Sequence, residues 1–340
     1  MDAQYTIPEN LISERPFKEG EAFYLIGNWL PVYSFTIVLG MIASIWTIFF
    51  FWKREKYKID HLLTLIIITI PSSIIGARLG FIFERLAAND STIAQNWWNI
   101  REGGLSIQWA VILPTIFNLL YAYRKRIDID YRKAFSFILP AVLIGQAIGR
   151  WGNFTNHEVY GKVDYTGQYV DWLGYWIRRN MFISDSVEPN GALRVPLFFY
   201  EFLTSLFGYI LIVWVLNLFG WLKPGSTGAL YIMYYGIVRT SMENLRQEAF
   251  AIYFVLAILS IILGLILLLR FELFTNYYIK IGKEVNKEHK KIFSLGQYIH
   301  IVKFLRYQKS KEKFFNIPFI RWNRVATINR LNAQSKQELN

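Results

Sequence analysis

The thirteen residues from Gly149 to Gly161 concentrate side chains that are suited to binding a polar ligand. They read Gly-Arg-Trp-Gly-Asn-Phe-Thr-Asn-His-Glu-Val-Tyr-Gly and directly follow an apolar stretch. A guanidinium group binds anions, the asparagine amides both donate and accept hydrogen bonds, and the glycines let the backbone approach a ligand closely. The segment therefore predicts a binding site where the chain leaves a membrane span. An ordinary interfacial loop is the competing interpretation.

A second set of ionisable residues lies inside or at the ends of apolar stretches, where a charge at a helix centre costs roughly 2.5–3.5 kcal/mol. Its members are Arg78, Glu84, Arg85, Arg150, Glu201, Arg239 and Glu243. We expect Glu84 and Arg85 to extend toward a helix end, as long charged side chains do. The others require a partner or a function.

Four of the polar residues share one predicted helical face. Tyr235, Arg239, Glu243 and Arg246 are spaced i, i+4, i+8 and i+11, so they line up on one side of an α-helix. Arg239 and Glu243 are expected to form an ion pair. This pair is either purely structural or part of a face that offers two guanidinium groups to a phosphate.

The composition indicates that these residues belong to a membrane protein. Hydrophobic residues make up 54% of the 340 residues, charged residues only 18%, and the mean hydropathy is +0.25. The chain contains no cysteine, which excludes disulfides, thiolate metal sites and a cysteine nucleophile of its own. Apolar stretches long enough for a ~30 Å hydrocarbon core fall at Pro31–Trp52, Leu62–Leu86, Leu105–Tyr123, Ala134–Arg150, Pro196–Gly220, Thr227–Glu243 and Ala249–Phe271. The fold predicted is an all-α polytopic membrane protein with about seven transmembrane helices.

The basic residues predict the orientation. They are frequent in the first and third connections and in the tail, and loops of this kind remain in the cytoplasm. The N-terminus is then outside and the C-terminus cytoplasmic. We expect an external arm over 1–30, a membrane domain over 31–271 with an external head over 151–195, and a basic extension over 272–340. The tail mixes basic and aromatic residues, which favours contact with an anionic leaflet over binding of nucleic acid or a partner protein.

This topology brings the polar residues to one depth in the membrane. Tyr33, Gln108, Tyr200 and Glu201 lie near the beginnings of inward spans, whereas Arg78, Arg150, Arg239 and Glu243 lie near the ends of outward ones. All of them map to the outer third of the bilayer. A polar cavity open to the outer leaflet is the simplest explanation.

The segment from Gly149 to Gly161 resembles the signature of prolipoprotein diacylglyceryl transferases, G-R-x-G-N-F-x-N-x-E-x-x-G. Further stretches are similar to the family in order and spacing: Gly76–Phe83, Gly103–Ser106, Pro196–Glu201 and Tyr235–Arg246. The resemblance covers roughly residues 30–270. It implies transfer of the sn-1,2-diacylglyceryl group of phosphatidylglycerol to the lipobox cysteine in the signal peptide of a prolipoprotein. It also implies a bacterial cytoplasmic membrane, and no cofactor, metal or nucleic acid.

The resemblance also implies roles for individual residues. Arg150 and Arg239 are expected to stabilise the phosphate in catalysis. Substrate binding is expected to involve Arg150, Asn153, Asn156, Glu158, Gly161, Tyr235, Glu243, Arg246, Tyr33 and Arg78. For Arg78, a supporting structural role is equally compatible with the sequence. The group that activates the substrate thiol is left open between His157, Glu158, Glu243 and the positive field of the arginines, which would lower the cysteine pKa.

One segment departs from the family pattern. Where the family usually has Ser-Phe-His-Gly-Gly, this chain has Ser-Ile-Gln-Trp-Ala at residues 106–110. The histidine is replaced by Gln108, and an amide cannot accept and return a proton near neutral pH. A base at this position is therefore not expected.

Two other functions are compatible with parts of the sequence. A membrane lipid or solute transporter would also contain arginines inside its spans, but it predicts functional residues near the bilayer midplane. A non-enzymatic scaffold would explain the basic tail but not the matching segments.

Overall fold

The computed structural model describes residue 11 and residues 13–27, 29–55, 57–87, 106–125, 128–219, 222–247 and 251–273. In chain order the longer helices are α1 (Val32–Arg54), α2 (Ile59–Ala87), α3 (Ile107–Arg124), α4 (Tyr131–Ile138), α5 (Val142–Thr155), α6 (Tyr175–Asn180), α7 (Leu197–Gly208), α8 (Ser226–Met242) and α9 (Ala251–Glu272). Helix α7 continues as a π-helical segment (Tyr209–Leu216) and a last turn (Asn217–Phe219). The predicted extension over 272–340 lies outside the described residues, apart from its first two.

Within the described residues, five helical segments are long and apolar enough to cross a membrane. They are Val32–Arg54, Ile59–Leu86, Tyr131–Thr155, Leu197–Leu216 and Ala251–Glu272. The prediction of a helical, multi-pass membrane protein is thus confirmed in this coarser form. The remaining predicted spans coincide with α3 and α8, which pack along α2 and α9 respectively. Helix α8 has 17 residues, or about 25 Å at 1.5 Å per residue, which is slightly shorter than the hydrocarbon core.

The fourth predicted span, Ala134–Arg150, differs from the structure at both ends. The chain forms α4 and α5, and between them Leu139–Ala141 make a turn around Pro140. Proline lacks the N–H that a continuous helix needs and clashes with the preceding turn. Helix α5 then continues to Thr155. The first residues of the signature are therefore helical, and the segment predicted to form the head leaves this helix after Thr155 rather than at Trp151.

The described part of the N-terminal arm packs on the segment that follows α5. Strand β1 (Phe17–Lys18) pairs in parallel with β4 (Phe182–Ser184), and β4 pairs antiparallel with β5 (Ala192–Leu193). Strands β2 (Tyr24–Ile26) and β3 (Leu30–Pro31) form a hairpin that leads into α1. The two regions also share a core of buried side chains, which includes Leu11, Phe154, Val170, Met181, Phe182 and Phe198. Apolar burial of this kind holds the arm against the signature segment.

Candidate active site

A cavity of about 560 Å³ lies between the helices that carry the predicted site. Helices α2, α5, α7, α8 and α9 border it. The residues that line it are Glu84, Ser106, Gln146, Arg150, Glu201, Ser205, Tyr235, Val238, Arg239, Arg246 and Tyr253. Ser106 immediately precedes α3. The structure therefore brings Arg150, Arg239, Arg246 and Tyr235 to one place, although they are up to about a hundred residues apart in sequence.

Glu201 connects two of the arginines. Its Oε2 lies 2.7 Å from Nε of Arg150, and its Oε1 contacts Nη2 of Arg246. The Glu201 side chain is 7% exposed, whereas those of Arg150 and Arg246 are 27% and 13% exposed. A buried carboxylate is stable only when opposite charges or donors surround it. Glu201 thus holds two guanidinium groups next to each other, a position that their mutual repulsion would otherwise disfavour.

Arg239 has its own carboxylate. Its Nη2 lies 3.4 Å from Oε2 of Glu243, which confirms the ion pair predicted from the i,i+4 spacing. The guanidinium also lies over the ring of Tyr253, 5.7 Å from the ring centroid. Both oxygens of Glu243 are buried without a hydrogen-bond partner among the described residues.

The prediction of a single continuous helical face is wrong for Arg246. Helix α8 ends at Met242, a 3₁₀ turn (Glu243–Leu245) follows, and Arg246 itself is extended. The Arg246 side chain nevertheless reaches the same cavity as Arg239. Its backbone position is fixed by Gly161, which forms an isolated bridge with Arg246.

The signature forms a network of its own around Glu158. Arg150 Nη1 donates to Oδ1 of Asn153 at 3.3 Å, and Asn153 Nδ2 donates to Oε1 of Glu158 at 2.9 Å. Asn156 Nδ2 donates to the other Glu158 oxygen at 2.8 Å. Tyr33, at the start of α1, lies close enough to interact electrostatically with Glu158 and Arg150. Predicted binding residues of the signature and of α1 are thus linked to the arginine cluster.

His157 points away from this network. Its ring stacks on Phe17 at 4.2 Å and meets Phe23 edge-on at 5.2 Å, while Nδ1 lies 2.6 Å from the carbonyl oxygen of Glu21. The residue is 1% exposed, and it does not line the cavity described above. Burial lowers the pKa of His157 below its usual value, although the contact with Glu21 acts in the opposite direction. The structure therefore places the candidate base beneath the N-terminal arm.

The turn after α5 has an unusual backbone. His157 and Val159 have φ angles of 46° and 55°, which non-glycine residues, and valine above all, seldom adopt. Such strain persists only where neighbouring contacts hold it. The arm contributes two of these contacts, since Phe23 N–H donates to the carbonyl of Thr155 at 2.9 Å and Gly20 N–H donates to that of His157 at 3.3 Å.

Gly161 and Gly80 owe their identity to close packing. A Cβ atom on Gly161 would lie 2.6 Å from the carbonyl oxygen of Leu245 and 2.6 Å from Cβ of Val195. A Cβ atom on Gly80 would lie 2.1 Å from the indole Cδ1 of Trp109. The large residue in the segment that departs from the family pattern is thus accommodated by a glycine of α2.

Three other expectations have different outcomes. Glu84 does not merely extend to the membrane surface, because it borders the cavity and its Oε1 accepts a hydrogen bond of 2.6 Å from Ser106. Arg78 lies over the ring of Phe81 at 5.3 Å and is not among the residues that line the cavity. The side chain of Gln108 lies outside the described part of the chain.

Sequence reasoning missed the central role of Glu201 in this geometry. The available signal was a carboxylate inside the fifth predicted span, which lies between the span that ends with Arg150 and the span that Arg246 follows. Among the described residues, no group of three or more His, Asp or Glu is placed to hold a metal ion.

The long apolar helices and the arginine-lined cavity between them define a multi-pass membrane protein with a polar site inside its helical bundle. The family model described as prolipoprotein diacylglyceryl transferase matches residues 21–270. The chain therefore belongs to the prolipoprotein diacylglyceryl transferase family.

Relatives of known name support the same assignment. A phosphatidylglycerol–prolipoprotein diacylglyceryl transferase of Mycoplasmopsis pulmonis is 52% identical over 276 residues, which is 79% of this chain and 86% of the relative. A protein of the same name from Streptococcus agalactiae is 30% identical over 256 residues, covering 72% of this chain and 94% of the relative. One from Streptococcus mutans is 31% identical over 245 residues, or 69% and 88% of the two chains.

Proposed function

We propose that this protein transfers the sn-1,2-diacylglyceryl group of phosphatidylglycerol to the cysteine thiol of prolipoproteins, the first step of bacterial lipoprotein maturation. The observation that carries the proposal is the convergence of Arg150, Arg239 and Arg246 on one cavity between membrane helices. Family membership and the names of the relatives agree with it.

The reaction makes a bond from the cysteine sulfur to the sn-3 carbon of the glycerol and breaks the bond from that carbon to the phosphate oxygen. The phosphate leaves with its electron pair as glycerol 1-phosphate, and the thiol loses its proton. The transition state therefore gains negative charge on the phosphate. Guanidinium groups held in position before the reaction stabilise such charge effectively in a site with little water.

The geometry supports distinct roles for the arginines. Arg150 and Arg239 contact the phosphate in this proposal, with Arg246 next to them to guide the headgroup. Each arginine is already held by a carboxylate, Glu201 or Glu243, so little reorganisation is needed when the lipid binds. Arg78 is proposed as a supporting residue of α2 rather than a direct contact.

Binding of the glycerol is assigned to the polar network of the signature. Asn153, Asn156 and Glu158 are joined by hydrogen bonds, and Tyr33 lies beside them. Tyr235 lines the cavity one helical turn before Arg239. Gly161 acts indirectly in this proposal, since its close packing fixes the backbone of Arg246.

The activation of the thiol is assigned to the arginine cluster together with Glu243. His157 is buried away from the cavity, and both oxygens of Glu158 accept hydrogen bonds from asparagine amides. The Glu243 oxygens are buried without a hydrogen-bond partner among the described residues. Positive charge nearby lowers the pKa of a thiol, so the arginines favour the thiolate even before a base acts.

We also propose the finer topology: about seven spans in the cytoplasmic membrane of a bacterium, with the N-terminus and the head outside and the extension over 272–340 in the cytoplasm. The cavity then faces the outer leaflet. The loop charges support this orientation. The described helices account for the two spans beyond the five long apolar segments if α3 and α8 also cross.

The test uses the full-length protein reconstituted in vesicles that contain phosphatidylglycerol with a radiolabelled diacylglyceryl group. Wild-type protein should transfer the label to a lipobox peptide and release glycerol 1-phosphate. Arg150→Ala should insert normally and lose transfer, whereas Arg15→Ala, whose side chain is 68% exposed on the arm, should retain it. Near wild-type transfer by Arg150→Ala would exclude the phosphate role. Movement of label between leaflets without transfer to the peptide would favour a transporter.

A further inference from the structure

A second cavity adjoins the first on the side of the head. Its volume is about 450 Å³. The lining residues are Glu19, Glu158, Val159, Tyr160, Asp185, Ser186, Val187, Arg239, Arg246, Gln247 and Tyr253. Arg239, Arg246 and Tyr253 border both cavities. The two spaces therefore meet at the guanidinium groups assigned to the phosphate.

The second cavity is built from segments of the head and not from membrane helices alone. Its walls come from the arm, the turn after α5, residues 185–187 and the chain after α8. These walls are held together by Arg194, which is 0% exposed, contacts Oδ2 of Asp185 at 2.6 Å and donates to Gln247 at 3.2 Å. Such a fixed polar cavity is suited to binding a flexible chain at a modest entropic cost.

The lining favours cationic and neutral groups over anions. Burial alone would raise the pKa of Asp185, but hydrogen bonds from the Glu188 backbone, the Tyr160 hydroxyl and the Val187 backbone, together with the charge of Arg194, lower it below its usual value. Asp185 is therefore ionised at neutral pH.

The other charged residues that line the second cavity also disfavour an anionic ligand. Glu19 is exposed at the rim, and Glu158 faces the same space. The two arginines of the shared wall are already partnered by Glu201 and Glu243. Asp185 is balanced by Arg194 in the same way. Among the described residues, the lining charges without an ion pair are therefore those of Glu19 and Glu158, and an incoming carboxylate meets these two negative charges.

The proposed reaction places a geometric demand on the peptide. Its sulfur must reach the glycerol carbon beside the arginines, while its apolar signal segment stays among the membrane helices. The residues after the cysteine must then continue toward the head. The second cavity lies on that path, because it begins at the wall that it shares with the first.

We propose that the second cavity binds the residues that immediately follow the prolipoprotein cysteine, and that its acidic lining disfavours acidic residues there. This inference rests on the proposed function. It assigns a peptide subsite to Glu19, Asp185 and the loop over 185–187, beyond the arginine cluster itself.

The experiment compares two lipobox peptides that differ only in having lysine or glutamate at the two positions after the cysteine. Transfer by the full-length, reconstituted protein is measured as kcat/KM for each. A weakly screened surface charge changes the ratio of the two kcat/KM values by about two- to fivefold. The wild type should therefore prefer the lysine peptide by about this factor. The preference should shrink at high salt.

Glu19→Lys is the informative variant, because its side chain is exposed and reversal of its charge does not disturb the core. It should abolish or invert the preference. Glu188→Lys makes the same change of charge nearby on the head, at a residue that does not line the second cavity, and should keep the wild-type ratio. An unchanged ratio in Glu19→Lys, or an equal shift in Glu188→Lys, overturns the subsite. Failure to modify either peptide would instead refute the proposed function and the subsite with it.

Discussion

Replacing Glu201 by glutamine removes a carboxylate that contacts both Arg150 and Arg246. The amide is close to isosteric, so the change tests charge and not packing. An amide oxygen can still accept one hydrogen bond, but it cannot balance two guanidinium charges. The arginines should then separate from each other and from the positions seen in the structure.

The magnitude follows from the burial of the three groups. Removing one partner of a fully buried ion pair costs about 3–5 kcal/mol. Here Glu201 is 7% exposed, but Arg150 and Arg246 are 27% and 13% exposed and can recover part of their hydration. Glutamine also keeps one acceptor. We therefore expect a loss of about 1–3 kcal/mol in the free energy of unfolding.

The effect on the reaction should be larger than the effect on folding suggests, because both displaced arginines line the cavity and the proposed function puts Arg150 at the phosphate with Arg246 beside it. If about 2–3 kcal/mol of transition-state stabilisation is lost, kcat falls roughly 30- to 160-fold. The value of KM for phosphatidylglycerol should rise much less. A charge network that acts mainly in the transition state changes kcat in preference to KM.

The assay measures transfer of the diacylglyceryl group from phosphatidylglycerol to a lipobox peptide. Thermal unfolding of the same preparations is followed in parallel. Glu14→Gln is the matched control, since it removes a carboxylate 2.8 Å from Arg179 on the head, away from the cavity. It should change transfer less than about twofold, in line with a partly exposed ion pair. A Glu201→Gln protein with wild-type kcat and stability would refute the reasoning that Glu201 positions the arginines.

Three further substitutions test other parts of the site. Gly161→Ala should lower the free energy of unfolding by about 1–3 kcal/mol and reduce kcat, because the new Cβ would lie 2.6 Å from the carbonyl oxygen of Leu245. Chemical unfolding measures the first effect and the transfer assay the second. His157→Phe should flatten the pH dependence of thermal stability in acid. Burial lowers the pKa of native His157 below its usual value of 6.5. The neutral ring therefore stabilises the fold above pH 6.5, and this stabilisation is lost as the pH falls. Unchanged acid sensitivity would contradict this. Gln108→His should give neither a large gain in turnover nor a new pKa of about 6–7 in the rate profile, since we expect no base at that position; either result would count against the expectation.

The sequence predicted the long apolar helices well, because hydropathy summed over some twenty residues is a strong and local signal. Helix α8 gives a weaker signal since Arg239 and several polar residues interrupt it, and its helix ends at Met242. The break at Pro140 and the extension of α5 to Thr155 were missed. Composition alone could not show that the polar residues from Gly152 to Thr155 still form helical hydrogen bonds.

Some contacts of the site are between residues that are close in sequence, and others are between residues far apart. The Arg239–Glu243 pair could be predicted from a spacing of four residues, which fixes the distance on any helix. The contacts of Glu201 with Arg150 and Arg246 join three separate parts of the chain. A single amino-acid sequence contains the residue types but not the packing that brings these parts together.

The position of His157 shows that one motif can contain both residues that lie at the site and residues that pack against another part of the protein. Arg150 and Asn153 share a face of α5 because they are three residues apart. The turn with positive φ then reverses the chain, so that Glu158 returns to the side chain of Asn153. The same reversal directs His157 to the opposite side, where it packs against Phe17. Burial of that ring under the arm offsets the strain of the turn. The arm thus supports the turn that brings Glu158 back to Asn153, and within the described residues His157 belongs to this packing and does not line the cavity.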